Sequence, residues 1–455
     1  MRRGFGKVGS RLLSALTLTA AILLLPQSLV GKDAGHPVQA RSVHEIFFYP
    51  SISDESLLHQ FDKEWIVKDA TIHFPVIDEM SGISIIIAWA QLCPEEDRCD
   101  FEIIDKIVDY WSVRGKKIIL CISPFGAPIE KPEGERRGFL PATPEWVLKR
   151  VVTYKSSSNN FIGVYRDWKD MANSDQFQFQ YPRYDDPRFI GEIRKLVLQL
   201  GRHYDGNKGI AYMRIATGKS GEDNPYGRVG SNWFTNAIWI NYSKEVVSAY
   251  LQSFHKTQLE FDLLWTAIVA AGARNATPIT LDEQLAAQAF LDSLVDRHVF
   301  LTYDGIAPQP IQKLQGATAA NPEGTVCAGF SPQADSDTPP MDAAAYAQLM
   351  RLRKRGVAFG LEGNALADPC QSPTRLEAIL RYYKPTRFVF FDDAAALVNL
   401  LRAGDNDLNR PAVERLTNAV ASSPRYADLE ASQRKANARV RIQQLGSDLA
   451  RLMQE

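Results

Sequence analysis

Short apolar runs alternate with longer amphipathic stretches along most of the chain, and the alternation recurs eight times. Period-two runs rich in Ile, Val and aromatic residues predict strands, while apolar residues spaced three and four apart predict helices. The strands predicted in this way are 43–49, 83–89, 117–122, 210–215, 276–281, 298–303, 357–361 and 387–391. Helices are predicted over 101–114, 188–203, 243–271, 282–296, 342–355 and 372–383, with Gly115 closing the first. Eight strand–helix units in this order predict a single α/β domain, a (β/α)8 TIM barrel, rather than an open sheet.

Long irregular segments follow strands three, four and six, all at strand C-terminal ends, where a barrel carries its active-site loops. The barrel domain is expected over 41–404. Beyond Gly404 the chain is polar and helix-prone, with Leu445, Leu449 and Leu452 on one stripe. A C-terminal helical tail, 405–455, packed on the outside of the barrel, is the expectation there.

The first 40 residues read as an export signal. Arg2, Arg3 and Lys7 form a basic start, Leu12 to Leu25 an apolar stretch, and Val38-Gln39-Ala40 supplies small residues for cleavage. Arg2-Arg3-Gly4-Phe5-Gly6-Lys7 is similar to a twin-arginine signal. A secreted or periplasmic protein is expected, with no stable membrane insertion after signal cleavage.

Charge narrows the partner class. Lys and Arg number 52 against 53 Asp and Glu, a net charge of -1, which gives no footprint for nucleic acid. A neutral partner such as an oligo- or polysaccharide fits better. No P-loop, Gly-x-Ser-x-Gly or His-Glu-x-x-His motif occurs, and no Gly-x-Gly-x-x-Gly follows a strand. No cofactor and no metal is therefore expected.

The five cysteines suit an oxidising compartment. Cys93 and Cys99 bracket one acidic loop, and Cys327 and Cys370 follow strands six and seven on one barrel face. Both pairs are expected as disulfides, with Cys121 a buried free thiol in strand three. Metal ligation competes with this reading, but neither a Cys-x-x-Cys motif nor clustered His supports it.

The candidate chemistry lies in two glutamates. Glu222 ends Gly209-Ile-Ala-Tyr-Met-Arg-Ile-Ala-Thr-Gly-Lys-Ser-Gly-Glu222, past strand four, and Glu362 ends Gly356-Val-Ala-Phe-Gly-Leu-Glu362, past strand seven. Strand ends four and seven face each other across a barrel mouth. Two carboxylates about 5–6 Å apart there are what retaining hydrolysis of a glycosidic bond requires. Asp304, Asp392 and Asp393 are rival carboxylates, and Asn224, Asp304 and Asp392 could bind sugar hydroxyls. Trp89, Trp233, Trp239 and Tyr303 are candidate stacking platforms, with core packing the competing reading for each Trp. Asn232, Asn236 and Asn241 accompany the strand-four loop. His44 and His298 are expected to pack or support rather than bind.

Three segments carry a family resemblance: Gly82-Ile-Ser-Ile-Ile-Ile-Ala-Trp89, Cys99-Asp-Phe-Glu-Ile-Ile-Asp105 with Gly115-Lys-Lys-Ile-Ile-Leu120, and Tyr184-Asp-Asp-Pro-Arg-Phe189 with His203-Tyr-Asp205. Together with the two glutamates, they resemble the barrel-fold retaining β-glycosidases, in the β-galactosidase-type branch. The resemblance implies that Glu222 is the acid/base and Glu362 the nucleophile, with Tyr303 donating a hydrogen bond to the nucleophile. The clan has Asn directly before the acid/base, whereas this chain has Gly221. Two functions are thus expected, in order: an exported glycoside hydrolase, or a non-catalytic carbohydrate-binding protein on the same barrel, which Gly221 favours.

Overall fold

The computed structural model describes residues 45–49, 63–78, 80–125, 128–129, 138–139, 142–156, 179–218, 221–225, 234–272, 279–304, 348, 351–352, 354–363, 385–391, 398–401, 403–404, 406, 410–421 and 429–454. All lie in one compact unit, Arg41–Glu455. Eight parallel strands close into a barrel: β1 (Glu45–Tyr49), β2 (Gly82–Ala88), β3 (Lys117–Ser123), β4 (Ile210–Arg214), β5 (Gln258–Leu263), β6 (Phe300–Asp304), β7 (Phe359–Gly363) and β8 (Arg387–Phe391). Each pairs with its neighbours in sequence, and β8 returns to β1 in register from Glu45↔Arg387 to Tyr49↔Phe391.

Around the barrel run α1 (Lys63–Asp69), α2 (Glu102–Ser112), α3 (Pro187–Tyr204), α4 (Asn236–Ser253) and α5 (Leu281–Asp296). Caps explain several helix starts. Asp186 accepts from Arg188 N ahead of α3, Thr235 from Ile238 N ahead of α4, and Thr280 forms a capping box with Glu283 ahead of α5. Two C-terminal helices follow, α6 (Arg410–Ala421) and α7 (Ala431–Gln454). Ile442, Leu445 and Leu449 of α7 are buried in the main apolar core, as the stripe predicts; the side chain of Leu452 lies outside the described residues. None of the described helices is long and apolar enough to cross a membrane.

Strand five is the main correction to the sequence reading. Residues 258–263, expected inside one long helix over 243–271, form β5, and that helix divides into α4 and a short helix, Trp265–Ala270. Gln258-Leu-Glu-Phe-Asp-Leu263 does alternate with period two, but Glu260 and Asp262 face the barrel interior rather than water. Charged residues at core positions made the segment read as helix surface. Of the segment expected as strand five, Leu281 opens α5, and 276–278 lie outside the described residues. The helix expected over 372–383 also lies outside them.

The core has two parts. Odd-numbered side chains of β2 (Ile83, Ile85, Ile87) and β6 (Leu301, Tyr303) point outward into the layer that packs against helices. A smaller interior cluster holds Phe47, Ile119 and Val389, with Tyr212 packed against it. Among the described residues, the barrel interior also holds Arg214, Glu260, Asp262, Glu362 and Arg387, all buried.

Candidate active site

Five buried charged side chains occupy the barrel axis. Arg387 opens β8, and its guanidinium carbon lies 4.4 Å from the ring centres of both Tyr212 and Phe300. Its Nη2 donates to Thr302 Oγ1, and its Nη1 sits 2.6 Å from Glu260 Oε2, a charge contact rather than an aligned hydrogen bond. Glu260 continues to Arg214, which donates from Nε at 2.9 Å, with Nη2 at 2.7 Å from the same oxygen. Arg214, the last residue of β4, then forks. Nη2 donates to Glu362 Oε2 at 2.7 Å, and Nη1 reaches Glu362 Oε1 at 3.4 Å and Asp262 Oδ2 at 3.5 Å. Burial alone would raise the Glu260 carboxyl, but Arg214 and Arg387 outweigh it and hold it below the usual range.

Glu362 is the fourth residue of β7, in register with Asp304 of β6 and Val389 of β8. It is 2% exposed, and the bidentate contact with Arg214 compensates its charge. Glu222 lies eight residues beyond the end of β4, in a turn, and is half-buried. Burial first, then the negative charges of Asp262 and Glu362, raise its carboxyl to about 7; Asn224 and Arg214 pull the other way. Asn224 Nδ2 donates to Glu222 Oε2 at 3.4 Å. Glu222, in the segment after β4, thus lies near enough to Asp262 of β5 and Glu362 of β7 for their charges to act on its carboxyl.

Gly221 has a local cause. Its φ is +82°, a left-handed conformation, and an added Cβ would meet Cys121 Sγ at 2.1 Å. No larger residue fits there while Cys121 stays in place. Burial pushes the Cys121 thiol up to about 12, and it forms no disulfide, as expected.

Strand parity corrects the aromatic candidates. Trp89, which follows β2 with the parity of Ile87, is 2% exposed and lies edge-on to Trp146, 5.9 Å between ring centres. Tyr303 shares the parity of Leu301, opposite to Thr302, and is 3% exposed in the outer core. Neither lines the mouth. Trp239 is buried and donates to Asp223 Oδ1 at 2.7 Å. Asn236 accepts from Trp265 Nε1 at 3.1 Å and donates to Glu283 Oε1 at 3.1 Å, and Asn241 is exposed on α4. His298 is exposed in a turn with φ 60° ahead of β6. Trp233, Asn232, Asp392, Asp393, His44, Cys327, Cys370 and the side chain of Asp304 lie outside the described residues. Cys93 and Cys99 are bonded, with Cα atoms 4.1 Å apart.

The sequence reading missed Arg214, Glu260, Asp262 and Arg387. An arginine inside Ile-Ala-Tyr-Met-Arg-Ile and alternating acids in Gln-Leu-Glu-Phe-Asp-Leu were the available signals.

Residues 79–244 match the profile of glycoside hydrolase family 42, described as β-galactosidase. The match runs from just before β2 into α4, less than half of the chain, and includes Glu222 but not Glu362. It agrees with the resemblance to barrel-fold β-glycosidases. No curated protein matches. Among solved structures, the catalytic domain of β-amylase from Paenibacillus polymyxa is similar at 10% identity, TM-score 0.45, over 77% of this chain and 92% of that one. A β-galactosidase from Rahnella sp. R3 is similar at 12% identity, TM-score 0.43, over 78% of this chain and 51% of that one. Endo-glycoceramidase II from Rhodococcus sp. is similar at 12% identity, TM-score 0.42, over 77% and 73%.

Proposed function

We propose that this chain is an exported glycoside hydrolase that cleaves a β-glycosidic bond with retention, Glu222 serving as acid/base and Glu362 as nucleophile. The observation that carries the reading is the contrast between the two carboxyl environments. Glu362 is gripped by a guanidinium at both oxygens, whereas Glu222 is desolvated beside two carboxylates and raised to about 7. Retaining hydrolysis asks for this division: one group that holds a proton near neutral pH and one that attacks as an anion. In the first step Glu222 protonates the leaving oxygen while Glu362 bonds to the anomeric carbon. In the second, Glu222 takes a proton from water, which displaces Glu362.

A second reading has support in two observations. Glu362 is 2% exposed, and Gly221 stands where a hydrogen-bonding Asn is expected before an acid/base. A barrel that binds carbohydrate without turning it over would keep the charged network for stability alone. Leaving-group dependence separates the two. Glu222→Gln should slow glycosides with poor leaving groups by about 10²-fold or more and spare activated aryl glycosides, which depart without protonation. Azide should then partly restore that variant, giving a glycosyl azide of retained configuration. Sugar binding without wild-type turnover on a broad glycoside panel would favour the second reading.

A further inference from the structure

Asp223, next to the proposed acid/base, is 1% exposed, and every part of it is engaged by protein donors and acceptors. Its Oδ1 accepts from Trp239 Nε1 of α4 at 2.7 Å. Its Oδ2 accepts from the backbone N–H groups of Thr266 at 2.6 Å and Leu264 at 3.4 Å, just past β5. Its own N–H donates to Asp262 O at 3.1 Å, and its carbonyl accepts from Trp265 N at 2.7 Å. One residue thus stitches the turn after β4 to β5 and α4 at five points. On the other side of Glu222, Gly221 abuts Cys121 of β3, and Thr217 Oγ1 donates to the Glu222 carbonyl at 3.3 Å.

We infer that Asp223 is a positioning residue for Glu222, holding that side chain at the mouth beside Asp262 and Glu362; the inference rests on the proposed role of Glu222. Three features give the clamp that purpose. Asp223 spends its carboxylate on protein donors, so it is not itself aimed at substrate. Its backbone N–H is bound to the carbonyl of Asp262, one of the two carboxylates that Glu222 faces. It lies between Glu222 and Asn224, the residue that donates to the Glu222 carboxyl. A clamp that served stability alone could sit anywhere along this loop; this one fixes the peptide bonds on both sides of Asp223, the first of which it shares with the proposed proton donor.

Asp223→Asn keeps the shape but turns one acceptor into a donor facing N–H groups, so the turn must shift. The expected result is a folded variant whose kcat/KM falls about 10²-fold for glycosides with poor leaving groups and less than about fivefold for dinitrophenyl glycosides, within the range general-acid catalysis contributes. Affinity for an iminosugar should stay within about twofold, and in a Glu222→Gln background the added change should have nearly no effect, because both act through one proton. Equal loss on both substrate classes, or multiplicative effects in the double variant, would overturn the proposal. If Asp223→Asn does not fold, Trp239→Phe removes one donor to the same carboxylate and should shift the leaving-group dependence in the same direction. The carboxyl NMR titration of Glu222, assigned by its absence in Glu222→Gln, reads the placement without turnover. It should move down from about 7 in either variant as Glu222 leaves the neighbourhood of Asp262 and Glu362. Arg214 and Asn224 are the other groups that act on its carboxyl. A wild type that cleaves nothing would sink the hydrolase reading, whereas an unmoved titration would sink this one.

Discussion

Replacing Glu222 with glutamine should stabilise the folded protein above neutral pH while removing the proposed proton donor. The folded carboxyl is raised from an ordinary 4.5 to about 7, and each tenfold change in proton affinity is worth about 1.4 kcal/mol. The full effect is therefore about 3 kcal/mol, reduced to about 2–3 kcal/mol because the side chain is only half-buried and water screens it. The sign follows from linkage. A group bound to its proton more tightly in the folded state costs nothing below its unfolded value; the cost grows as pH rises through 4.5 and is complete above about 7. Glutamine carries no such cost and has nearly the same shape. Asp223, also raised to about 7, chiefly by burial, contributes in the same direction to both proteins and cancels from the comparison. Urea unfolding of wild type and Glu222→Gln at pH 4.5 and pH 8, with the disulfide intact, measures the difference from midpoint and slope. The variant should gain about 2–3 kcal/mol relative to wild type between the two pH values. An equal difference at both would show that Glu222 holds its proton no more tightly than a solvent carboxylate, and the acid/base assignment would lose its physical basis.

Three further outcomes are expected. Arg214→Met leaves Glu260, Asp262 and Glu362 without a shared cation, and should cost about 3–5 kcal/mol in urea unfolding, with Glu260 still partly compensated by Arg387. The pH–rate profile of kcat/KM should fall on its alkaline side near 7, as Glu222 loses its proton, and Glu222→Gln should abolish that limb. Replacing Cys93 and Cys99 together by Ser should lower stability by about 2 kcal/mol, the loop-entropy value for so short a ring, as read from the shift in thermal midpoint.

The barrel was legible because most strands are apolar on both faces, as in Gly82-Ile-Ser-Ile-Ile-Ile-Ala and Lys117-Ile-Ile-Leu-Cys-Ile. β5 was not, because Glu260 and Asp262 point inward to two arginines that come from β4 and β8, and no local pattern announces partners so distant in sequence. The same distance hid Arg214 as the group that grips Glu362, 148 residues away. Counting strands assigned Glu222 to the segment after β4 and Glu362 to β7, where the structure has them. Trp89 and Tyr303 could not be oriented by position alone, since a residue at a strand end faces in or out according to parity. Applied to Ile83, Ile85 and Ile87, that parity would have turned Trp89 outward. The glycine before Glu222 looked like a missing catalytic partner, but its cause is steric: Cys121 of β3 occupies the space a side chain would need.

The most direct test of the central claim is to trap the covalent intermediate. Wild-type protein incubated with 2-deoxy-2-fluoro glycosyl fluorides of several sugars, then examined by intact mass and peptide mapping, should carry one fluorosugar on the peptide containing Glu362. The adduct should be absent from Glu362→Gln and should turn over in the presence of an acceptor sugar. A label on Asp262 or Asp304 would reassign the nucleophile, and no label with any sugar that the protein demonstrably cleaves would contradict a retaining mechanism at Glu362.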